Sequence, residues 1–286
     1  MFEIYEPTTV QEASQLLTAH GSEAAIYAGG TELLVLMKEG FVHYPRLINI
    51  KTIPGLAEVT LDQDRQVLRL GALVTHRQLE QSAVVKHHAP LLAEVEQLVA
   101  NIRVRSAGTL GGNLCFAEPH SDPGTLLLAW GASLQLSSAT GERTIPIEEF
   151  FVGLLETARR PDEILAQIEL PLLADQTGGA YEKFSTHERP TANVAALIRL
   201  KNGRIAEARI AVGSVGPIPI RVKAAEQILQ GETPGSEAFA AAAEDAGQAV
   251  DPVDDIYGSV EYKRHLVKIL TQRALSAAVA RVRREQ

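Results

Sequence analysis

The residues with the most evident chemistry lie in a glycine-rich segment, residues 105–122, which ends in an acid and leads into the apolar run 125–130. Gly108, Gly111 and Gly112 allow positive φ angles and a close approach of the backbone to a ligand. Successive N–H groups in such a turn can converge on an anion. The segment therefore predicts a turn that cradles a diphosphate.

A second glycine pair, Gly29-Gly30, follows the short apolar run 24–28 and precedes a helical pattern that begins at Thr31. Thr31 and Thr109 stand close to the two pairs, and each hydroxyl can add a hydrogen-bond donor to a phosphate oxygen. Basic side chains are few near both pairs, so affinity would come from backbone dipoles. Either pair alone is typical of a tight turn. Together they predict one dinucleotide held from two sides.

Two further residues near the second pair have competing interpretations. Asp122, just before Pro123, either caps the helix that follows or accepts hydrogen bonds from a ligand. Cys115, with His120 as a base, could serve as a nucleophile, but an isolated cysteine in an apolar stretch is more typical of a packed small hydrophobe. The histidines have no spacing that indicates a metal site. The sequence assigns no catalytic residue and no metal ligand.

Composition limits the classes of function. The chain has 286 residues, of which 45% are hydrophobic, enough for one large domain or two smaller ones. Its net charge of −8 provides no broad basic surface, so nucleic acid is not expected as a partner. The single cysteine cannot ligate an iron–sulfur cluster within this chain. The sequence shows neither a membrane-spanning run nor a signal peptide, which predicts a cytoplasmic protein.

The elements that must position these residues begin with a small α/β unit, residues 1–55. Thr9-Val-Gln-Glu12 has the spacing of a capping box and predicts a first helix. A buried strand at 24–28 then leads into the first glycine turn. A second helix from Thr31 and a short apolar element at 46–50 follow. Helices alternating with buried strands place the glycine turn at the carboxyl end of a strand.

Residues 56–175 are predicted to interleave helices with antiparallel strands. Residues 174–180 have the composition of a domain linker, so the domain boundary is placed there. The C-terminal domain, residues 176–286, is predicted to contain a three-stranded antiparallel sheet and helices. Its strands are expected at 181–184, 192–200 and 206–212, and its helices at 221–229, 237–249 and 259–284. The fold class is α+β.

Several motifs together resemble a known family. Ala-Gly-Gly-Thr-Glu-Leu-Leu at 28–34 and Gly-Thr-Leu-Gly-Gly-Asn-Leu at 108–114, followed by Ser121-Asp122, are similar to the FAD-binding medium subunit of molybdenum hydroxylases. This is the family of the carbon monoxide dehydrogenase medium chain and the xanthine dehydrogenase flavin domain. The likeness runs from Glu6-Pro-Thr to Glu261-Tyr-Lys-Arg-His-Leu. It implies a two-part FAD-binding domain of the PCMH type in the N-terminal domain.

The resemblance also implies a set of cofactor-binding residues. Asp122 would accept hydrogen bonds from hydroxyls of the flavin nucleotide. Leu165 would contribute an apolar contact and Lys183 a polar one, although alone they read as a strand core residue and an exposed charge. The full set for non-covalent FAD is Ala28, Gly29, Gly30, Thr31, Glu32, Leu33, Thr109, Leu110, Gly111, Gly112, Asn113, Asp122, Leu165 and Lys183.

The sequence departs from the family just past Lys183. Members often have an acid, an aromatic residue near the flavin ring and then alanine, whereas this chain has Arg189-Pro-Thr-Ala192. The aromatic residue is missing at Thr191, so the resemblance does not determine access to the flavin ring or the choice of electron acceptor.

The function that the resemblance implies is electron transfer within a complex. A large subunit would carry the molybdenum cofactor and a small subunit two [2Fe–2S] clusters, in a dimer of heterotrimers, and electrons would pass through FAD on this chain to an external acceptor. Two alternatives stay open. One is a free-standing FAD-dependent oxidoreductase that binds its own organic substrate, and the other is a non-catalytic nucleotide-binding assembly module.

Overall fold

The computed structural model describes residues 2–186 and 189–284. Its first sheet contains three parallel strands. The strand order is β1-β3-β2. Helix α1 connects β1 to β2, and helix α2 connects β2 to β3. This confirms the small α/β unit. Its elements are β1 (Glu3–Tyr5), α1 (Val10–His20), β2 (Ala24–Tyr27), α2 (Leu33–Lys38) and β3 (Arg46–Asn49).

Helix α1 begins where the capping pattern predicts. Thr9 Oγ1 accepts a hydrogen bond of 3.1 Å from the N–H of Glu12, and Ala13 and Leu17 are buried against the sheet. The Gly29-Gly30 pair follows β2 at the carboxyl edge of the parallel sheet. The sequence pattern missed β1, which is only three residues long.

The second sheet has five strands, in the order β4-β5-β10-β6-β7, and all its pairs are antiparallel. A short hairpin of β8 and β9 lies before its last strand in sequence. The strands are β4 (Val59–Asp62), β5 (Val67–Gly71), β6 (Ser133–Ser138), β7 (Gly141–Pro146), β8 (Phe151–Gly153), β9 (Glu156–Thr157) and β10 (Ile164–Pro171).

Six helices lie between β5 and β6, and they correct the prediction for residues 105–122. That segment is not one extended glycine-rich turn, because Asn101 and Thr109 cap two short helices within it. The helices are α3 (His76–Gln81), α4 (Ala83–His88), α5 (Pro90–Glu96), α6 (Ile102–Ala107), α7 (Leu110–Phe116) and α8 (Asp122–Trp130).

The C-terminal sheet has four antiparallel strands rather than the predicted three, in the order β11-β12-β13-β14. The extra strand has only two residues, and the sequence pattern had assigned Arg221 to the following helix. The elements are β11 (Thr177–Phe184), β12 (Ala192–Lys201), β13 (Arg204–Gly213), β14 (Ile220–Arg221), α9 (Lys223–Leu229), α10 (Ser236–Ala249) and α11 (Val260–Arg284).

Helix α8 lies at the centre of the molecule. All nine of its residues are buried, because it packs between β10 of the second sheet and strands β12 and β13 of the C-terminal sheet. A helix that is apolar on every side requires such an enclosed position. The hydrophobic core around α8 therefore includes Ala195, Leu197 and Ala211 from the C-terminal sheet.

Candidate functional site

The structure brings the two glycine segments into direct contact. A Cβ atom placed on Gly29 would lie 2.3 Å from the carbonyl oxygen of Ala107 and 2.8 Å from Cα of Gly108. On the other side, a Cβ on Gly108 would lie 3.3 Å from Oγ1 of Thr31. Only glycine permits this approach of the two backbones. Segments about 80 residues apart in sequence thus form one structure, which is the juxtaposition that a two-sided site requires.

The first turn offers free backbone donors. Gly30 has a φ of +75°, and it bends the chain from β2 into α2. Within residues 2–186 and 189–284, nothing accepts a hydrogen bond from the N–H groups of residues 29–33. The first N–H groups of a helix have no partner inside the helix, and they attract anions. The turn at 29–33 is therefore the part of the site equipped to bind a diphosphate.

The second glycine segment works differently from the prediction. None of its three glycines has a positive φ. The N–H of Gly111 donates to Ala72 O at 2.8 Å, the N–H of Gly112 to Thr109 Oγ1 at 3.1 Å, and the N–H of Leu110 to Val74 O at 3.0 Å. The expected convergence of free N–H groups is therefore absent at these three residues.

These glycines act through their missing side chains instead. A Cβ on Gly111 would lie 2.5 Å from Cβ of Ala72, so the glycine seats α7 against the end of β5. A Cβ on Gly112 would meet only Thr109 Oγ1, at 2.7 Å. The bare backbone of Gly112 thus faces space that a ligand could occupy. Thr109 Oγ1 accepts one bond in the helix cap and keeps its own hydrogen for another acceptor.

Asp122 is the first residue of α8, and Ser121 occupies the cap position. The Asp122 carboxylate accepts a hydrogen bond of 2.5 Å from the Tyr181 hydroxyl and one of 3.1 Å from Nζ of Lys183. Nζ of Lys183 also donates to the carbonyl oxygen of Leu98 at 2.8 Å. Lys183 is therefore not an exposed surface charge, because its side chain is only 16% exposed. The carboxylate joins the N-terminal domain to β11.

Burial shapes the electrostatics of this pair. The low-dielectric surroundings raise the pKa of Asp122, and the nearby Lys183 ammonium and Tyr181 hydroxyl partly oppose that rise. The pKa of Tyr181 is raised well above its usual value, by burial first and then by the adjacent carboxylate. Tyr181 therefore stays protonated at physiological pH and donates its proton toward Asp122.

Sequence reasoning missed a buried acid–base pair between the two halves of the site. His76 Nδ1 lies 2.6 Å from Glu96 Oε2, and both side chains are buried. A Cβ on Gly108 would lie 3.2 Å from Cδ2 of His76, and His76 also lowers the pKa of Asp122. The imidazole thus borders the glycine contact and acts electrostatically on the carboxylate of Asp122. No spacing in the sequence links residues 76 and 96.

Two other predicted site residues have structural partners. Leu165 is buried at an irregularity in β10, in the same hydrophobic core as Leu110 and Leu114. Asn113 Oδ1 accepts a hydrogen bond of 2.6 Å from Ser121 Oγ, which ties α7 to the start of α8. The bond between Asn113 and Ser121 therefore places α7 next to the start of α8, where Asp122 stands.

The region where the family has its aromatic residue carries a charged group instead. Arg189 forms an ion pair of 3.1 Å with Glu118, which also accepts a bond of 2.7 Å from His120 Nδ1. Burial raises the pKa of Glu32, with Arg189 opposing the rise and Glu118 adding to it. Arg189 therefore neighbours the first glycine turn. Residues 187 and 188 lie outside the described residues.

The remaining candidates carry no chemistry of their own. Burial raises the pKa of Cys115 to about 11, so its thiol is not activated. Within residues 2–186 and 189–284, no group of three or more potential ligand side chains could hold a metal ion. No helix in that same part of the chain is long and apolar enough to cross a membrane.

The fold and the site define a class of protein before any comparison. A parallel α/β unit presents free N–H groups, and the glycine segment of a second unit packs against that turn. A buried carboxylate of the second unit pairs with a lysine of a third unit. This arrangement is typical of a dinucleotide-binding protein.

The comparisons with known proteins agree with this class. Residues 1–173 match the family profile described as the FAD binding domain in molybdopterin dehydrogenase. Residues 181–278 match the CO dehydrogenase flavoprotein C-terminal domain. The chain belongs to the family of the carbon monoxide dehydrogenase medium chain and the xanthine dehydrogenase FAD-binding subunit, and is thus a subunit of a molybdenum hydroxylase oxidoreductase.

Relatives and solved structures cover nearly the whole chain. The carbon monoxide dehydrogenase medium chain of Hydrogenophaga pseudoflava is 35% identical over 282 residues, which are 98% of each chain. The xanthine dehydrogenase FAD-binding subunit of Escherichia coli is 31% identical over 280 residues, 96% of this chain and 95% of the relative. A solved carbon monoxide dehydrogenase from Hydrogenophaga pseudoflava, which lacks the Mo-pyranopterin moiety, superposes with a TM-score of 0.95 at 36% identity and covers 98% of each chain.

Proposed function

We propose that this chain binds FAD non-covalently at the site described above and transfers electrons between iron–sulfur clusters on a partner subunit and an external acceptor. The observation that carries the proposal is the close contact of Gly29 with Ala107 and Gly108, which brings the turn with free N–H groups at residues 29–33 against the second glycine segment. That segment continues through the bare backbone of Gly112 to the buried carboxylate of Asp122. These three features suit three parts of a dinucleotide: the N–H groups suit its diphosphate, the bare backbone of Gly112 suits the face of a ring system, and the carboxylate suits its hydroxyl groups.

The residues present fit the cofactor chemically. The N–H groups of residues 29–33 would hold the diphosphate, with Thr31 and Thr109 adding hydroxyl donors. The Asp122 carboxylate would accept hydrogen bonds from nucleotide hydroxyls. Leu165 would supply apolar contact. The other residues of the predicted set, Ala28, Glu32, Leu33, Leu110, Gly111 and Asn113, would shape these two segments rather than donate to the ligand.

Bound FAD supplies the redox chemistry, since a flavin exchanges electrons either singly or in pairs. The chain controls the conditions of that exchange. The Lys183 ammonium would stabilise negative charge on the reduced cofactor, and its fixed bonds to Asp122 and Leu98 O keep it in place. Burial of this ion pair strengthens its field, because water screens it less.

Partner subunits follow from the chemistry that the chain lacks. Its single cysteine cannot ligate a cluster, and the relatives are named as a medium chain and an FAD-binding subunit. We propose a small subunit with two [2Fe–2S] clusters and a large subunit with the molybdenum cofactor, assembled as a dimer of heterotrimers. The substrate would be oxidised on the large subunit.

Purification of the native protein under gentle conditions tests this function. The expected result is co-purification of two other polypeptides, with iron, molybdenum and FAD in fixed ratio, and release of the FAD by heat or acid. The isolated chain should bind FAD and oxidise no organic substrate. A native homo-oligomer that contains FAD without iron or molybdenum, and that turns over an organic substrate, would instead establish a free-standing oxidoreductase. A native protein without flavin would establish an assembly module.

A further inference from the structure

We infer that Tyr181, which the predicted site does not include, is a positioning residue for FAD that acts through Asp122. Its hydroxyl holds one oxygen of the Asp122 carboxylate while Lys183 holds the other. The inference rests on the proposed function, because it assumes that Asp122 accepts hydrogen bonds from the nucleotide. It extends that function to a residue two positions before Lys183 on the same strand.

The geometry of β11 explains why these two residues act together. Residues i and i+2 of a strand point to the same face, so Tyr181 and Lys183 both face the start of α8. Tyr181 Oη lies 2.5 Å from Oδ1 of Asp122, and Lys183 Nζ lies 3.1 Å from Oδ2. The two donors therefore fix the plane of the carboxylate, leaving its remaining lone pairs for a ligand.

A further residue, Asn193, holds the backbone next to Asp122. Asn193 Nδ2 donates to the backbone oxygen of Ser121 at 3.4 Å and to Ser214 Oγ at 2.9 Å. Asn193 pairs with Lys183 across the neighbouring strand. The carboxylate is thus held from its backbone and from both oxygens by the C-terminal sheet.

Loss of the Tyr181 hydroxyl would change the protonation of Asp122. Burial raises the pKa of Asp122, and three groups oppose that rise: Lys183 and Tyr181 from β11, which bond to the carboxylate, and His76 from α3, which acts electrostatically. With one donor removed, that pKa rises further. The carboxyl group then becomes protonated at a higher pH, loses its negative charge, and is left with a weaker and smaller capacity to accept hydrogen bonds from the nucleotide.

The test compares FAD binding to the apoprotein of the full chain for wild type and Tyr181→Phe between pH 6 and pH 9, by isothermal titration calorimetry. We expect Tyr181→Phe to raise the Kd for FAD roughly tenfold to hundredfold at pH 6 and less at pH 9. The matched control is Tyr262→Phe, whose ring contacts Phe184 outside this network, and its Kd should equal that of wild type.

A double-mutant cycle separates positioning from a structural role. Asp122→Asn removes the charge on which Tyr181 acts. In that background, Tyr181→Phe should change the Kd for FAD by less than about threefold. Equal factors in both backgrounds, or equal affinity of Tyr181→Phe and wild type across the pH range, would overturn the inference. No FAD binding by the wild-type chain would overturn the proposed function, and the inference with it.

A second measurement keeps the inference testable even if Tyr181→Phe does not fold. A difluorotyrosine at position 181 preserves the ring and the hydroxyl but has a more acidic phenol. We expect its phenolate absorbance to appear only at a pH well above that of the same substitution at Tyr262, because of burial and the Asp122 carboxylate. Similar titration at both positions would overturn the inference, since it would show that the bond to Asp122 does not hold the proton.

Discussion

Gly30 and Gly40 have nearly the same backbone conformation, with φ angles of +75° and +79°, yet only Gly30 belongs to the candidate site. Alanine at either position would pay a similar backbone cost of about 1 kcal/mol. The surroundings differ, because a Cβ on Gly40 meets nothing within 4 Å, whereas one on Gly30 would lie 2.5 Å from Cε2 of Tyr27. The pair therefore separates folding strain from cofactor binding.

Gly30→Ala should displace the turn that presents the N–H groups of residues 29–33. If two charge-assisted hydrogen bonds to the diphosphate are each weakened by about 1.5 kcal/mol, the loss is about 3 kcal/mol, or about a hundredfold in the Kd for FAD. Gly40→Ala should leave the Kd unchanged. Gly40→Ala should unfold at a temperature lower by about 2 °C, as a loss of about 1 kcal/mol implies for a chain of this size. Gly30→Ala should unfold at a lower temperature still, because its Cβ must also displace the ring of Tyr27.

The assay is calorimetric titration of FAD into each apoprotein, together with thermal unfolding of the same samples. Wild-type FAD affinity in Gly30→Ala would refute the assignment of the diphosphate to the turn at 29–33. An equal loss of affinity in Gly30→Ala and Gly40→Ala would also refute it, since it would show that the affinity follows general destabilisation of the α2 segment rather than the position of the N–H groups.

Three further predictions concern other parts of the site. Lys183→Met should lower the midpoint potential of the bound flavin by on the order of 30 mV or more, which for two electrons equals about 1.4 kcal/mol. An unchanged potential in spectroelectrochemical titration would exclude a role for the charge of Lys183. Cys115→Ser should leave FAD content unchanged. The pKa of native Cys115 is raised to about 11, so its thiol should react with thiol reagents near pH 7.5 only after unfolding. Rapid labelling of the folded protein would contradict this. FAD should slow amide hydrogen exchange in peptides covering both 28–34 and 181–184 but not in the β4–β5 hairpin at 59–71, and protection confined to 28–34 would show that β11 does not contribute to the site.

Much of the fold was predictable because its signals are local. The capping pattern at Thr9, the buried strand before Gly29 and the apolar run that became α8 are each contained in a few residues. Gly178 and Gly179 misled the same reasoning, since they indicated a linker but lie within β11. A Cβ on Gly178 would lie 2.2 Å from the carbonyl oxygen of Ala278, so this glycine permits contact with α11.

The role of the second glycine pair could not be predicted for a related reason. A glycine that frees an N–H group for an anion and a glycine that lets two backbones touch have the same letter in a sequence. Gly111 is distinguished only by Ala72, which lies 2.5 Å from the position of its Cβ and 39 residues away in the chain. The resemblance assigns this segment to the cofactor site, and the structure changes the physical reason for its glycine content.

The candidate site is completed only where the two predicted domains meet. Asp122 stands on a helix of the N-terminal domain, and its partners Tyr181 and Lys183 stand on the first strand of the C-terminal sheet. That helix is buried between both sheets, so neither half can move without moving the carboxylate. If Asp122 binds the nucleotide as proposed, docking of the C-terminal sheet onto α8 is a condition for that binding, because the sheet supplies the donors that orient the acid. It gives a physical reason for the C-terminal domain to accompany the FAD-binding domain, as it does in a relative that aligns over 98% of both chains.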